Sequence, residues 1–245
     1  MSCVYYIYRI ELKFQSKFMS KHIIITGTSR GIGFELVKIF AQKDFQVYAL
    51  SRNNKPVAKL KLKNVESISC DLSSKSSVKK TIKKIEKHTD TVDILINNAG
   101  KFLNQPFKET NLKDVKAVYD ANVFGVFELT SKLIKTFKSI GHVVNISSMG
   151  GIQGSMKFPG LAAYSSSKAA LLCLTELLAE EYKDSPMAFN CLALGAVQTE
   201  MLEEAFPGLE APLSAEEMAT YISDFAVTGH KYYNGKTLQV SNSTP

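Results

Sequence analysis

With 245 residues, 45% of them hydrophobic, the chain is long enough to bury the core of one large α/β domain. It holds no run of about 18 apolar residues, which excludes a membrane-spanning helix; the most apolar helical segment, 169–178, is interrupted by Thr175 and Glu176. The net charge of +7 comes mostly from lysines at 55–63 and 79–87, the latter set beside an apolar stripe (Val78, Ile82, Ile85), which marks a solvated helix face. Nucleic-acid binding is not expected, because clustered arginine with interleaved aromatics is missing.

Four cysteines (Cys3, Cys70, Cys173, Cys191) and four histidines (His22, His88, His142, His230) show no metal-ligand spacing. Neither a metal site nor a disulfide framework is expected, and the cytoplasm is the implied setting. Residues 1–18, MSCVYYIYRIELKFQSKF, place their apolar patch before Arg9, Glu11 and Lys13. That is the wrong order for a signal peptide. Met19 immediately precedes the first convincing strand. The expected division is therefore a poorly ordered extension over 1–18, with a short extra strand as the alternative, and one domain over 19–245.

Apolar, β-branched runs at 22–26, 45–50, 65–69, 92–96, 142–147, 187–194 and 237–241 predict seven strands. Helical periodicity covers 31–43, 74–88, 112–138, 162–183 and 215–226, with a short helix at 54–62. Strict alternation of strand and helix implies right-handed βαβ units. The predicted fold is a single-domain Rossmann-type α/β structure: a doubly wound, seven-stranded parallel sheet with helices on both faces.

The first strand runs into "TGTSRGIG", residues 26–33. Glycines at 27, 31 and 33, between a strand and a helix, allow a tight turn and close approach of a pyrophosphate to the helix N-terminus. The second strand ends Leu50-Ser51-Arg52-Asn53, without the acid that would accept from a ribose 2′-hydroxyl. Ser51 and Arg52, with Arg30 from the glycine loop, suit a 2′-phosphate instead, since guanidinium binds phosphate in bidentate fashion. NADP(H) is thus expected ahead of NAD(H). Asp71, after the third strand, is a candidate partner for an adenine amine; its bland reading is the helix start at Ser73–Ser74.

The segment "YSSSK" places Tyr164 and Lys168 four residues apart, on one face of a helix. An ammonium that close to a phenol is expected to lower the tyrosine pKa. Together with Asn97-Asn98-Ala99-Gly100 after the fourth strand and the glycine loop, this chain resembles the classical short-chain dehydrogenase/reductase family over roughly 20–241. The resemblance implies hydride transfer between NAD(P) and a carbonyl or alcohol, in a dimer or tetramer. It implies Asn122, Ser148, Tyr164 and Lys168 as the catalytic set, with Ser147 a possible stand-in for Ser148. It further implies cofactor contacts at Gly27, Ser29, Arg30, Ile32, Asp71, Leu72, Asn98, Tyr164, Lys168, Val197 and Thr199. Asn122 is expected to anchor a water that links Lys168 to solvent.

The chain departs from the family pattern at Leu194-Gly195, where a proline is usual, and the loss is expected to loosen that turn. The expected pocket rim is Phe102, Leu103, Phe158, Leu161, Met201 and Phe206, which favours a hydrophobic or weakly polar ketone, aldehyde or thioester-linked acyl chain. Two other readings are weaker. A cofactor-sensing regulator on this fold has no use for the Tyr/Lys pair, and an isomerase or dehydratase needs more chain after Thr199. A chain beginning at Met19 is expected to keep its melting temperature and activity, because 1–18 offer no periodic face to bury; a loss of several degrees in thermal unfolding would show that they pack on the domain.

Overall fold

The computed structural model describes residues 21–242. The expected extension, the alternative extra strand and the start at Met19 all lie outside the described residues. Seven strands form one sheet: β1 His22–Thr26, β2 Gln46–Ser51, β3 Val65–Ser69, β4 Thr91–Asn97, β5 Ser139–Ser148, β6 Ala188–Leu194 and β7 Lys236–Val240. Their order is β3-β2-β1-β4-β5-β6-β7, and every pair is parallel.

Alternate side chains of each strand point to opposite faces, and the sheet has a core on both. On one face Ile23, Ile25, Val47, Ala49, Ile94 and Ile96 pack with α1 (Gly31–Gln42) and α8 (Ala215–Thr228). On the other, Ile24, Tyr48, Leu50 and Leu95 pack with α3 (Lys75–Ile85) and α5 (Gly125–Thr136). The three consecutive isoleucines of β1 are therefore all fully buried, each contributing roughly 1.5–3 kcal/mol. A strand covered on both faces reads as a continuous apolar run, as β1 does. Helix α1 buries Gly33, Leu36, Val37 and Phe40, the stripe that a 3.6-residue repeat demands.

The predicted helix over 112–138 is not one helix. It divides into α4 (Leu112–Tyr119), a π turn (Asp120–Phe124) and α5. The π turn holds Asn122, whose side chain is drawn inward to the Lys101 backbone. Gly125 follows directly, and a Cβ there would lie 2.7 Å from Leu72 Cβ, so the helix passes too close to β3's outgoing loop for any larger residue. Strand β5 begins at Ser139, three residues before the predicted start, because Gly141 lets β4 approach; a Cβ there would meet Asp93 O at 2.4 Å. The short helix predicted over 54–62 is trimmed to α2 (Lys55–Ala58), and Lys61 turns left-handed at φ 52°.

The turn after β6 is also tied more firmly than the missing proline suggested. Leu194 is buried and pairs in register with Ser148 and Val240. Gly195 N–H then donates to Val240 O at 2.9 Å, carrying the ladder one residue further. Beyond it, Thr199 caps a six-residue helix, α7 (Glu200–Ala205), by accepting from Leu202 N at 3.2 Å. The sheet order reverses between β1 and β4, and the crevice outside the carboxyl ends of those strands is the usual ligand position in an open α/β sheet.

Candidate active site

The crevice is a cavity of about 890 Å³. Its phosphate end is built by the glycine loop. Gly27 and Gly31 have φ of 74° and 56°, a region that side chains disfavour. At Gly33 the constraint is space, since a Cβ would lie 2.3 Å from Gly27 O. Arg30 precedes α1 without a side-chain cap hydrogen bond, so the first N–H groups of that helix are left for an anion. Asn98 braces the loop from β4: its Nδ2 donates to Thr26 O at 3.0 Å and to Gly27 O at 3.3 Å. The hydroxyl of Thr28, buried beneath, has no hydrogen-bond partner. A glycine turn that lines the cavity, followed by a helix start with no side-chain cap, fits a dinucleotide pyrophosphate.

Of the sequence-predicted cofactor residues, Gly27, Ser29, Arg30, Ile32, Ser51, Arg52, Asp71, Leu72, Asn98, Tyr164, Lys168, Val197 and Thr199 all line this cavity. Two of them are partly committed already. The Ser51 hydroxyl is buried and donates to Asn53 O at 2.8 Å, which leaves Arg52 as the exposed cation at the end of β2. Asp71 Oδ1 accepts from Ser73 N at 3.0 Å and Ser73 Oγ at 2.8 Å, so the helix-start reading holds for that oxygen. The cap of α3 itself is Ser74.

At the other end of the cavity stand Ser148, Tyr164 and Lys168. Ser148 closes β5 and accepts from Gly150 N at 3.2 Å, while Tyr164 and Lys168 share the first turns of α6 (Ala162–Glu181). Ser147, the possible stand-in, also lines the cavity, but its buried hydroxyl donates to Lys168 O at 2.9 Å. Lys168 is 4% exposed. Its Nζ donates to Ile146 O at 2.8 Å and lies 5.8 Å from the Tyr164 ring centroid.

The lowered Tyr164 pKa expected from the spacing is not found. Burial pushes the phenol up to about 12, with a bond to the Ser148 hydroxyl acting in the opposite sense. The ammonium is drawn to a main-chain carbonyl over the ring, and burial pushes Lys168 itself down to about 8, with only Cys191 acting the other way. Desolvation outweighs the charge pairing that the sequence alone suggested.

Asn122 does not reach the cavity wall. It is fully buried, with Oδ1 accepting from Lys101 N at 2.7 Å and Nδ2 donating to Lys101 O at 3.0 Å and Ser167 Oγ at 2.9 Å. Both amide hydrogens are used, so the side chain clamps the segment after Gly100. A Cβ built on Gly100 would lie 3.4 Å from Lys168 Nζ and 3.6 Å from Asn122 Oδ1, placing this glycine between the two.

The rim is apolar. Phe102 packs on the Tyr164 ring (centroids 4.7 Å apart) and edge-on to Phe206 beyond α7 (5.9 Å). Phe158, Leu161 and Met201 also line the cavity, but Leu103, expected with them, does not: its neighbour Phe102 takes the inward position. Sequence reading missed the Ile146 carbonyl, the Cys191 thiol and Glu204, which forms a fork of hydrogen bonds with Arg30 (Nη2 to Oε2 2.8 Å). A main-chain acceptor carries no sequence signal, and nothing local in the sequence pairs Glu204 with Arg30.

Fold and cleft together define an α/β oxidoreductase. The model of the short chain dehydrogenase family matches residues 21–210, and the chain belongs to that family. It is 35% identical over 185 residues to the short-chain dehydrogenase cctT of Talaromyces islandicus, covering 74% of this chain and 64% of that one. Against carbonyl reductase family member 4 of Xenopus laevis it is 30% identical over 191 residues, or 76% and 79% of the two chains. Among solved structures, ElxO with NADP bound superposes with a TM-score of 0.80 at 27% identity, over 91% of this chain and 97% of that one. 4-Hydroxyisoleucine dehydrogenase complexed with NADH gives 0.81 at 27%, over 91% and 98%.

The Lys168 shift makes a stability prediction for the ligand-free protein. Its folded pKa lies below the ordinary lysine value of 10.5, so between about 8 and 10.5 the unfolded chain binds more protons. Stability therefore gains up to roughly 3 kcal/mol from this group as pH rises through that window. Denaturant titrations at pH 7.5 and 9.5 should show the rise, and Lys168→Met should lack it.

Proposed function

We propose that the protein is an NADP(H)-dependent carbonyl reductase whose proton donor is Tyr164. The single observation that carries this reading is the arrangement of one cleft: Ser148, Tyr164 and Lys168 at one end, the glycine loop with Arg30 and Arg52 at the other. When bound, the reduced nicotinamide supplies the hydride. Tyr164 gives its proton to the substrate oxygen, and a phenol held up to about 12 stays protonated at neutral pH. The Ser148 hydroxyl holds that oxygen in line and stabilises the charge developing on it. The buried cation of Lys168 then steadies the phenolate left behind, and Asn122 positions the Lys101–Phe102 segment against the Tyr164 ring.

The solved neighbours hold NADP in one case and NADH in the other, so the preference is argued from this chain's own residues. Arg52 at the end of β2 and Arg30 in the glycine loop both line the cleft, and β2 ends in Ser51-Arg52-Asn53 without a carboxylate. The apolar rim of Phe102, Phe158, Leu161, Met201 and Phe206, and the carbonyl reductase relative, support a hydrophobic ketone, aldehyde or 3-oxoacyl group as substrate. Self-association into a dimer or tetramer would cover Leu112, Phe124 and Phe127, apolar side chains 55–85% exposed on α4, the π turn and α5. The proposed setting is the cytoplasm; no helix among the described residues is long and apolar enough to cross a membrane.

Tyr164→Phe removes one hydroxyl and keeps the ring packed on Phe102. Turnover of a good ketone is expected to fall roughly 10²–10⁴-fold with cofactor affinity retained; near wild-type turnover would refute the assignment of the proton donor. Cofactor preference is read by titrating both reduced forms. NADPH should bind more tightly than NADH, and Arg52→Ala should weaken NADPH selectively.

A further inference from the structure

Two arginines line the cleft as candidates for a 2′-phosphate, and they are not in the same state. Arg52 has no ion pair among the described residues, whereas Arg30 is already engaged. Its Nη1 and Nη2 both donate to the Glu204 carboxylate, the second at 2.8 Å. The guanidinium edge that would grip a phosphate in bidentate fashion is thus filled by a carboxylate of the same forked shape.

We propose that Glu204 is the counter-ion with which a cofactor 2′-phosphate must compete for Arg30, and hence a residue that sets how strongly the protein prefers NADP(H) over NAD(H). The proposal rests on the NADP(H) reading above. Packing gives Glu204 no other task, since its side chain is 62% exposed. Its place is fixed from α7, whose first turn rests on the glycine loop: a Cβ on Gly31 would lie 3.4 Å from Thr199 Cγ2 and 3.5 Å from the Glu200 carboxylate. Glu200 is the second acid acting on Arg30. A doubly charged phosphate arriving here replaces the carboxylate at the fork and is repelled by it until it moves away. NADH has no group at that position and leaves the pair intact. Selection against the phosphate is therefore partial, as expected of an exposed ion pair.

The test is direct binding of NADPH and NADH to the full chain by calorimetry, with Glu204→Gln, Arg30→Ala and the double variant. Thermal unfolding serves as a check that each is folded. Glu204→Gln keeps the side-chain shape and removes the charge. It should tighten NADPH roughly two- to fivefold and leave NADH unchanged, and it should have no effect once Arg30 is alanine. Arg30→Ala should weaken NADPH more than NADH. If it does so while Glu204→Gln leaves NADPH unchanged or weaker, the counter-ion role is wrong and the NADP(H) reading stands. If Arg30→Ala weakens both cofactors equally, the phosphate does not use Arg30, and the role of Glu204 falls with that premise.

Discussion

The site depends on a knot of hydrogen bonds that joins the ends of β1 and β4. The Thr26 hydroxyl accepts from Asn98 N at 3.0 Å and Ala99 N at 2.9 Å, while the Asn98 amide returns to Thr26 O and Gly27 O. Nothing larger than glycine fits at 27, because a Cβ would come within 2.7 Å of Ala99 Cα. The knot fixes the glycine loop that faces the phosphate end. It also launches residues 99–102 toward the reacting end: Gly100 beside Lys168, Lys101 in the grip of Asn122, Phe102 on the Tyr164 ring. One short segment therefore relates the two ends of the cleft.

Burial sets the electrostatics of that reacting end. Lys168 is almost fully covered and has one main-chain acceptor at 2.8 Å, so its charged form is disfavoured and the phenol of Tyr164 is held protonated. A buried cation with one partner is a destabilising feature. In the proposed reaction a negative charge develops on Tyr164 beside it, which is a functional reason for strain of this kind. The neighbouring Cys191 thiol is pushed up to about 12 by its own burial, with the Lys168 charge acting in the opposite sense.

Helix α7 is held from two sides: it meets the glycine loop through Glu204 and Arg30, and the residue after it, Phe206, meets Phe102 at the apolar rim. Asn104 adds a bond from its Nδ2 to Ala205 O at 3.3 Å. The Arg30–Glu204 and Asn104–Ala205 contacts are exposed and individually weak. The covering element is thus the part of the site most open to rearrangement by whatever enters the cleft.

The sequence by itself determined the sheet. Three adjacent isoleucines in β1, together with strands that alternate with helices along the chain, point to a parallel sheet covered on both faces, because consecutive apolar residues of a strand are all buried only when both its faces are covered. It also located the glycine loop, Ser148, Tyr164 and Lys168, since each sits at a strand end or helix start where the local pattern changes. Tertiary structure decided what those residues do to one another. Spacing put Tyr164 and Lys168 on one face, but only packing showed the ammonium turned to Ile146 O and the phenol pushed up by burial. The break of the long helix at Asn122 followed from a distant backbone, Lys101, and the tie of Arg30 followed from Glu204, 174 positions away. Such partners leave no local trace, because a hydrogen bond between remote segments depends on where the whole chain brings them.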